Sequence, residues 1–169
     1  MSEQISVPAQ RMGRCAKLAW EHAVEEWRST PEERRRGGVM TGHLLLGVLQ
    51  EAKCAGGLIL RKMGLDMQLA IDHTRFALFY GRRRDSSEEL TLDCWEVPHT
   101  LKAYNVIMFG EEEANLYHAT YPIGTEHLTL ALLREQDGVG NKVLQHFGIN
   151  EEQARLVRDT WWDVLKLHE

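Results

Sequence analysis

The sequence predicts an all-α fold in which two pseudo-symmetric four-helix repeats pack as one domain. Three observations predict it. The chain matches itself at an offset of 84 residues, without a gap, from Met40 opposite Gly124 to Asp66 opposite Asn150. Apolar residues recur at helical spacing, and no convincing stretch alternates with the period of two that a half-buried strand shows, so no sheet is expected. The identities also fall where helices start, pack and stop: Thr41/Thr125 and His43/His127, then Leu44/Leu128, Leu46/Leu130 and Leu49/Leu133, then Gly64/Gly148.

The first helix is predicted from about Pro8 to Trp27, and its counterpart from about Pro98 to His118, because proline suits a first helical turn. Met12, Ala16, Ala19 and Ala23 recur at helical spacing, as do Ala103, Ile107, Gly110 and Ala114. Their small size implies close packing. Upstream of the threonines the register shifts, pairing Ala23 with Ala114 and Val7-Pro8 with Val97-Pro98. The difference is an insertion, Arg28 to Gly38, whose charge, proline and glycines read as a solvated loop. The second helices start at Thr41 and Thr125, each a good N-cap candidate. The third cover Ala55 to Met63 and Val139 to Phe147, and Gly64 and Gly148 follow as C-terminal caps. Asp66 and Asn150 are placed to N-cap the fourth helices. In the last helix Val157, Trp161, Val164 and Leu165 form an apolar stripe. Repeat one thus spans about 5–81, a charged linker about 82–96, and repeat two about 97–168. Helices this short rarely hold alone, so a single domain over 1–169 is expected.

Composition excludes several function classes. A formal net charge of -5 argues against generic nucleic-acid binding. The densest apolar run, Leu44 to Leu49, falls far short of the roughly 20 residues that span a bilayer, so no membrane association is expected. Met1 to Arg14 lacks the pattern of a secretory signal. Cys15, Cys54 and Cys94 are odd in number and form no Cys-x-x-Cys, which reads as reduced thiols in a cytoplasmic protein. Neither His43 nor His127 has further Cys or His at ligand spacing, so no metal is predicted, and no cofactor loop is visible. The two histidines read as structural, each donating a hydrogen bond. Glu111-Glu112-Glu113 reads as a solvated face, and Arg34 to Arg36 and Arg82 to Arg84 as solvated loops. With no nucleophile-base pair either, the chain reads as a binding protein rather than an enzyme. Adjacent Trp161 and Trp162 point about 100° apart on a helix. Trp162 has four readings: it lines a groove, meets the other repeat, joins a partner surface, or is partly buried against its own neighbours.

Ile123-Gly124-Thr125-Glu126-His127-Leu128-Thr129-Leu130-Ala131-Leu132-Leu133 resembles the hallmark segment of the Clp N-terminal repeat, and Asp137 to Ile149 continues the likeness. Met40 to Glu51 repeats it in the first copy. The resemblance implies a double Clp-N fold and a non-catalytic protein-interaction role. The partners implied are substrates, adaptors or subunits of a Clp AAA+ unfoldase and protease system, either directly, as an accessory subunit docked on the protease core, or as the N-terminal fragment of a longer Clp ATPase. No Gly-x-x-x-x-Gly-Lys-[Ser/Thr] is present to cradle ATP phosphates. Some family members bind phosphorylated arginine through a threonine near each repeat's start and the glutamate of Gly-Thr-Glu-His. Carried over, these are Thr100 and Glu126 in the second copy, with Thr125 beside them. The first copy has Ala9 and Gly42 there instead, which implies that its site is lost.

Overall fold

Two helices of this chain are rich in leucine and small residues all round, and such helices must be surrounded. They are α2 (Thr41–Gln50) and α6 (Thr125–Arg134), and nine consecutive residues of each, 41–49 and 125–133, are buried. In the computed structural model, which describes residues 10–33, 35, 37–81, 91–92 and 97–168, these helices form the hub. Around α2 lie α1 (Arg14–Ser29), α3 (Ala55–Lys62) and α4 (Met67–Tyr80). Around α6 lie α5 (Leu101–Asn115), α7 (Val139–His146) and α8 (Glu151–Leu165), which runs into a 3-10 turn, Lys166–His168. The copies cross-pack: α2 touches α6 and α7, and α3 touches α6 and α8. No single helix among the described residues is long and apolar enough to cross a membrane.

The predicted stops and fourth-helix starts are in place. Gly64 and Gly148 take φ of +85° and +75°, the left-handed conformation that ends α3 and α7. Leu65 and Ile149 then donate back to Leu60 O and Leu144 O at 3.1 and 3.0 Å. Asp66 caps α4 through the Leu69 amide at 3.0 Å, and Asn150 caps α8 through the Gln153 amide at 2.9 Å.

Thr41 and Thr125 depart from their predicted role. They do not cap their own helices, whose N-cap residues are Met40 and Gly124. Each instead caps a helix of the other repeat. The Thr125 hydroxyl accepts the Gly56 amide of α3 at 2.9 Å, and the Thr41 hydroxyl accepts the Gly140 amide of α7 at 3.2 Å. Gly56 and Gly140 are second residues of helices whose own N-caps, Cys54 and Gly138, make no side-chain cap bond. Those amides are donors that a helix cannot satisfy internally. The approach is close: a Cβ at Gly140 would lie 2.8 Å from Thr41 O, and one at Gly56 would meet the Thr129 hydroxyl at 2.5 Å.

The repeats also exchange backbone bridges. Met12 pairs with Ile123, and Val39 pairs with His99. Val39 and Ile123 are equivalent, so Met12 corresponds to His99 and Gly13 to Thr100. Gly13 and Thr100 are the N-caps of α1 and α5. The equivalent of Thr100 is therefore Gly13 rather than Ala9, which lies outside the described residues, and Ala23 corresponds to Gly110 rather than Ala114. The first helices of both copies also start later than expected. Pro98 is outside α5 because its carbonyl accepts the Val39 amide at 2.8 Å; Pro8 lies outside the described residues. Of the predicted insertion loop, Arg28 and Ser29 belong to α1, and Arg34 and Arg36 lie outside the described residues.

Two more expectations are overturned. A minimal antiparallel ladder exists, β1 (Thr91–Leu92) with β2 (His99–Thr100), too short for any periodicity to reveal. Within the linker, 82–90 and 93–96, with Arg82 to Arg84, Cys94 and Trp95, lie outside the described residues. Cys15 and Cys54 are not free thiols but a disulfide, with Cα atoms 6.2 Å apart and a sequence separation of 39. Folding brings the start of α1 beside the N-cap of α3, inside the range that a disulfide needs. The argument from free thiols to a reducing compartment therefore falls.

Thr125→Val removes the oxygen that serves the buried Gly56 amide and keeps the side-chain shape. It is expected to cost about 1 to 3 kcal/mol in urea unfolding, as is Thr41→Val. An exposed control, Thr160→Val, is expected to stay within about 0.5 kcal/mol of wild type.

Candidate functional site

Thr100, Thr125 and Glu126 are buried, with 2%, 0% and 1% of their surfaces exposed. Thr100 caps α5 by accepting the Ala103 amide at 3.2 Å. Thr125 serves Gly56. Glu126 folds back over its neighbour: a Cβ at Gly124 would lie 2.7 Å from the carboxylate carbon. At the equivalent Gly42, Leu78 and Val139 fill the space that a side chain would need, at 2.8 and 3.0 Å from a Cβ there.

His43 and His127 are structural, with roles opposite in sense to the predicted donation. Their Nδ1 atoms accept the Met40 and Gly124 amides, each at 2.9 Å. Each histidine, three residues into its helix, so plays the part that glutamate plays in a capping box. An accepting Nδ1 requires a neutral ring with its proton on Nε2. Burial pushes both pKa values down to about 4, aided at His127 by the Arg158 charge and opposed at His43 by Glu26. Glu126 lies 3.2 Å from His127 Nδ1. That nitrogen already accepts an amide, so the contact is not an ion pair.

Glu111, Glu112 and Glu113 do not share one solvated face: Glu112 is solvated as predicted, with 57% of its side chain exposed, but Glu111 is half-buried and Glu113 buried. Successive helix positions point about 100° apart, and each acid meets a different arginine. Glu111 pairs with Arg11 at 2.5 Å and Glu112 with Arg134 at 2.7 Å. Glu113, 2% exposed, takes a bidentate pair from Arg155 at 2.6 and 2.7 Å, with Arg158 at 3.4 Å. Burial opposes its ionisation, but the Arg155 hydrogen bonds and the charges of Arg155, Arg158 and Arg134 outweigh it and hold the carboxyl below its ordinary value. The buried line of α8 is Ala154, Arg158 and Leu165, so the predicted stripe holds at Leu165 and, half-buried against the core, at Val157. Trp161 and Val164 stand 36% and 45% exposed.

The two tryptophans divide the readings between them. Trp162 is half-buried and stacks on Tyr117 of its own repeat, with centroids 4.5 Å apart and planes 4° apart. Trp161 meets the other repeat, where Lys62 Nζ lies 4.2 Å from its ring centroid. Sequence reasoning missed a cleft of about 230 Å³ in repeat one, between the end of α1, the start of α2 and α4. Trp27, Met40, Leu46, Leu78 and Phe79 supply apolar walls, and Glu26, Arg75 and His43 the polar ones. Beyond Phe79 the surface continues as Phe76 and Tyr80, 60% and 64% exposed. No group of three or more His, Cys, Asp or Glu among the described residues could hold a metal ion.

The family model for the Clp repeat (R) N-terminal domain matches residues 99–163. "Chaperone protein ClpC, chloroplastic" of Pisum sativum is 33% identical over 138 residues, which is 80% of this chain and 14% of that protein. "Chaperone protein ClpB" of Oceanobacillus iheyensis is 28% identical over 115 residues, 68% of this chain and 13% of that protein. The chain thus spans about a seventh of the length of these relatives. The crystal structure of the N-terminal domain of the caseinolytic protease associated chaperone ClpD from Arabidopsis thaliana superposes with a TM-score of 0.69 at 21% identity. It covers 94% of this chain and 99% of its own. The chain resembles the N-terminal domain of ClpC, ClpA and ClpD-type AAA+ chaperones.

Two outcomes follow from the buried charges. Histidines with folded pKa values near 4 bind protons more weakly than unfolded ones near 6.5. Stability is therefore full above about pH 6.5 and falls as pH drops towards 4, by on the order of 3 kcal/mol for each histidine. Urea unfolding across this range checks it. The double variant His43→Asn, His127→Asn keeps an acceptor without a titrating ring and is expected to flatten the dependence. Separately, Glu113→Gln leaves Arg155 with Glu151 and Arg158 with Asp159 as their remaining carboxylates, and is expected to cost about 2 kcal/mol at neutral pH in urea unfolding.

Proposed function

We propose that this chain is a non-catalytic protein-interaction module that binds substrates, adaptors or subunits of a Clp AAA+ unfoldase and protease system. What carries the reading is the extent of the structural likeness. The ClpD N-terminal domain and this chain cover each other almost completely, so the shared unit is the entire double repeat. The chemistry of the molecule agrees. Among the described residues most buried polar groups cap helices or join hydrogen bonds and ion pairs, while an apolar cleft and exposed aromatic rings are accessible, which suits protein contacts.

The finer reading places phosphorylated arginine at Thr100 and Glu126, beside Thr125. Because these residues are at most 2% exposed, that ligand requires the Glu126 carboxylate to swing off Gly124 and the first turn of α6 to open. A hydroxyl and helix-start amides could then take phosphoryl oxygens while the carboxylate pairs with the guanidinium.

An affinity pull-down from native lysate, followed by mass spectrometry, tests the module. Clp unfoldase or protease subunits, or a set of their substrates, are the expected retained proteins. Loss of those proteins with Glu126→Ala, at unchanged folding, places the contact in repeat two. Capture of the protease ring alone supports docking on the protease core as an accessory subunit. Retention of only unrelated proteins overturns the proposal.

A further inference from the structure

Repeat two displays what the cleft of repeat one lacks. The established equivalences set Thr30 where Tyr117 stands, Leu78 where Trp162 stands, and His43 where His127 stands. In repeat two Tyr117 and Tyr121 flank His127, their centroids 6.1 and 5.9 Å from its ring, and Trp162 stacks on Tyr117. In repeat one, threonine and leucine are too short to meet over His43, and the space between them is the cleft. At about 230 Å³ it is smaller than the roughly 300 to 1,000 Å³ of drug-sized ligand sites. It fits one side chain rather than a cofactor.

The walls define the chemistry of that side chain. The Glu26 carboxylate is already engaged by Arg75 and by Gln50 Nε2, so the cleft holds no open charge for an ionic ligand. His43 lines the cleft with its proton on Nε2, since Nδ1 accepts the Met40 amide. Among the described residues that N–H has no acceptor. An N–H donor and a guanidinium in one apolar cleft complement the negative face of an aromatic ring. Phe79 forms part of the wall and continues into the exposed Phe76 and Tyr80, whose rings stand 4.9 Å apart.

We propose that the repeat-one cleft receives one aromatic side chain, tyrosine or tryptophan, from a partner polypeptide, seated on His43 as Tyr117 sits beside His127. This rests on reading the chain as a binding module and names the chemistry of its partner. The cleft is the open counterpart of a pocket that repeat two fills with its own residues.

The test is an NMR titration of the whole chain with the blocked peptide Ser-Gly-Tyr-Gly-Ser and its Ser-Gly-Leu-Gly-Ser counterpart, read at the His43 ring and Phe79. The tyrosine peptide is expected to shift both saturably, and the leucine peptide to bind at least tenfold more weakly. Thr30→Tyr, which rebuilds the plug of repeat two at the half-buried end of α1, is expected to weaken binding at least tenfold, whereas Thr30→Ala leaves it. Leu78→Trp is the second plug should Thr30→Tyr disturb the fold. Equal binding of both peptides, no saturable shift, or binding indifferent to both plugs overturns the assignment. So does a shift produced by protein concentration alone, which gives the cleft to a second copy. The lysate pull-down with the wild-type chain, set beside its peptide titration, separates the two proposals. Clp subunits retained without any peptide shift sink the aromatic site and leave the module standing. A peptide shift without Clp subunits does the reverse.

Discussion

The exchanged helix caps are the constraint on which the rest of the structure depends. A short helix begins with amides that it cannot pair, and the N-cap residues of α3 and α7 supply no side-chain oxygen for them. The oxygen comes from the opposite repeat, Thr125 to Gly56 and Thr41 to Gly140. Neither copy is complete without the other. The glycines follow from the same contact, because a Cβ at either site would press on the partner helix. Burial of α2 and α6 follows too. Once their first turns abut α7 and α3, nine successive residues of each lie inside, and most are small or apolar because an unpaired polar group is costly there.

The periphery shows how far two copies can diverge around a fixed seam. The acid near the end of each first helix keeps an arginine partner from the fourth helix: Glu26 with Arg75, and Glu113 with Arg155. Their surroundings differ. In repeat two the space between those helices holds Tyr117, Trp162 and Arg158, and the acid is sealed. In repeat one it holds Thr30 and Leu78, and the space stays open. The disulfide from Cys15 to Cys54 belongs to repeat one alone. It ties the start of α1 to the start of α3, away from the end of α1 that borders the cleft. The open repeat is therefore the one that carries the covalent tie.

What the sequence made legible was local. Gly64 and Gly148, with Asp66 and Asn150, announce helix ends because their effect reaches only a few residues along the chain. The duplication was legible because identity survives at those positions. What escaped was contact between distant segments. Thr41 and Thr125 precede apolar helices and look like local caps, and nothing in their neighbourhood reveals that their hydroxyls cross to the other repeat. Glu113 sits in a run of three acids, and no pattern within that run shows which one turns inward to Arg155. The Ala23/Ala114 register failed because alanine is common on closely packed helices, so a chance alignment resembled homology until the backbone bridges at Val39 and Ile123 fixed the frame. The candidate site suffered most. Thr100 and Glu126 could be named from resemblance, but their burial comes from packing.

This division bears on where binding specificity can lie. Groups committed to the seam are poor evolutionary material, because changing Thr125 or Gly56 breaks a cap in one repeat through a residue of the other. Side chains at the far ends of α1 and α4, and of α5 and α8, carry no such obligation. Thr30 and Tyr117 occupy one position, as do Leu78 and Trp162, yet both copies keep the same histidine-to-amide bond beneath them. A neutral histidine held by its own helix start makes a constant floor. Whether the space above it is filled by the chain itself or left open is decided by two side chains outside the seam, and such a surface can change its partner without unfolding its scaffold.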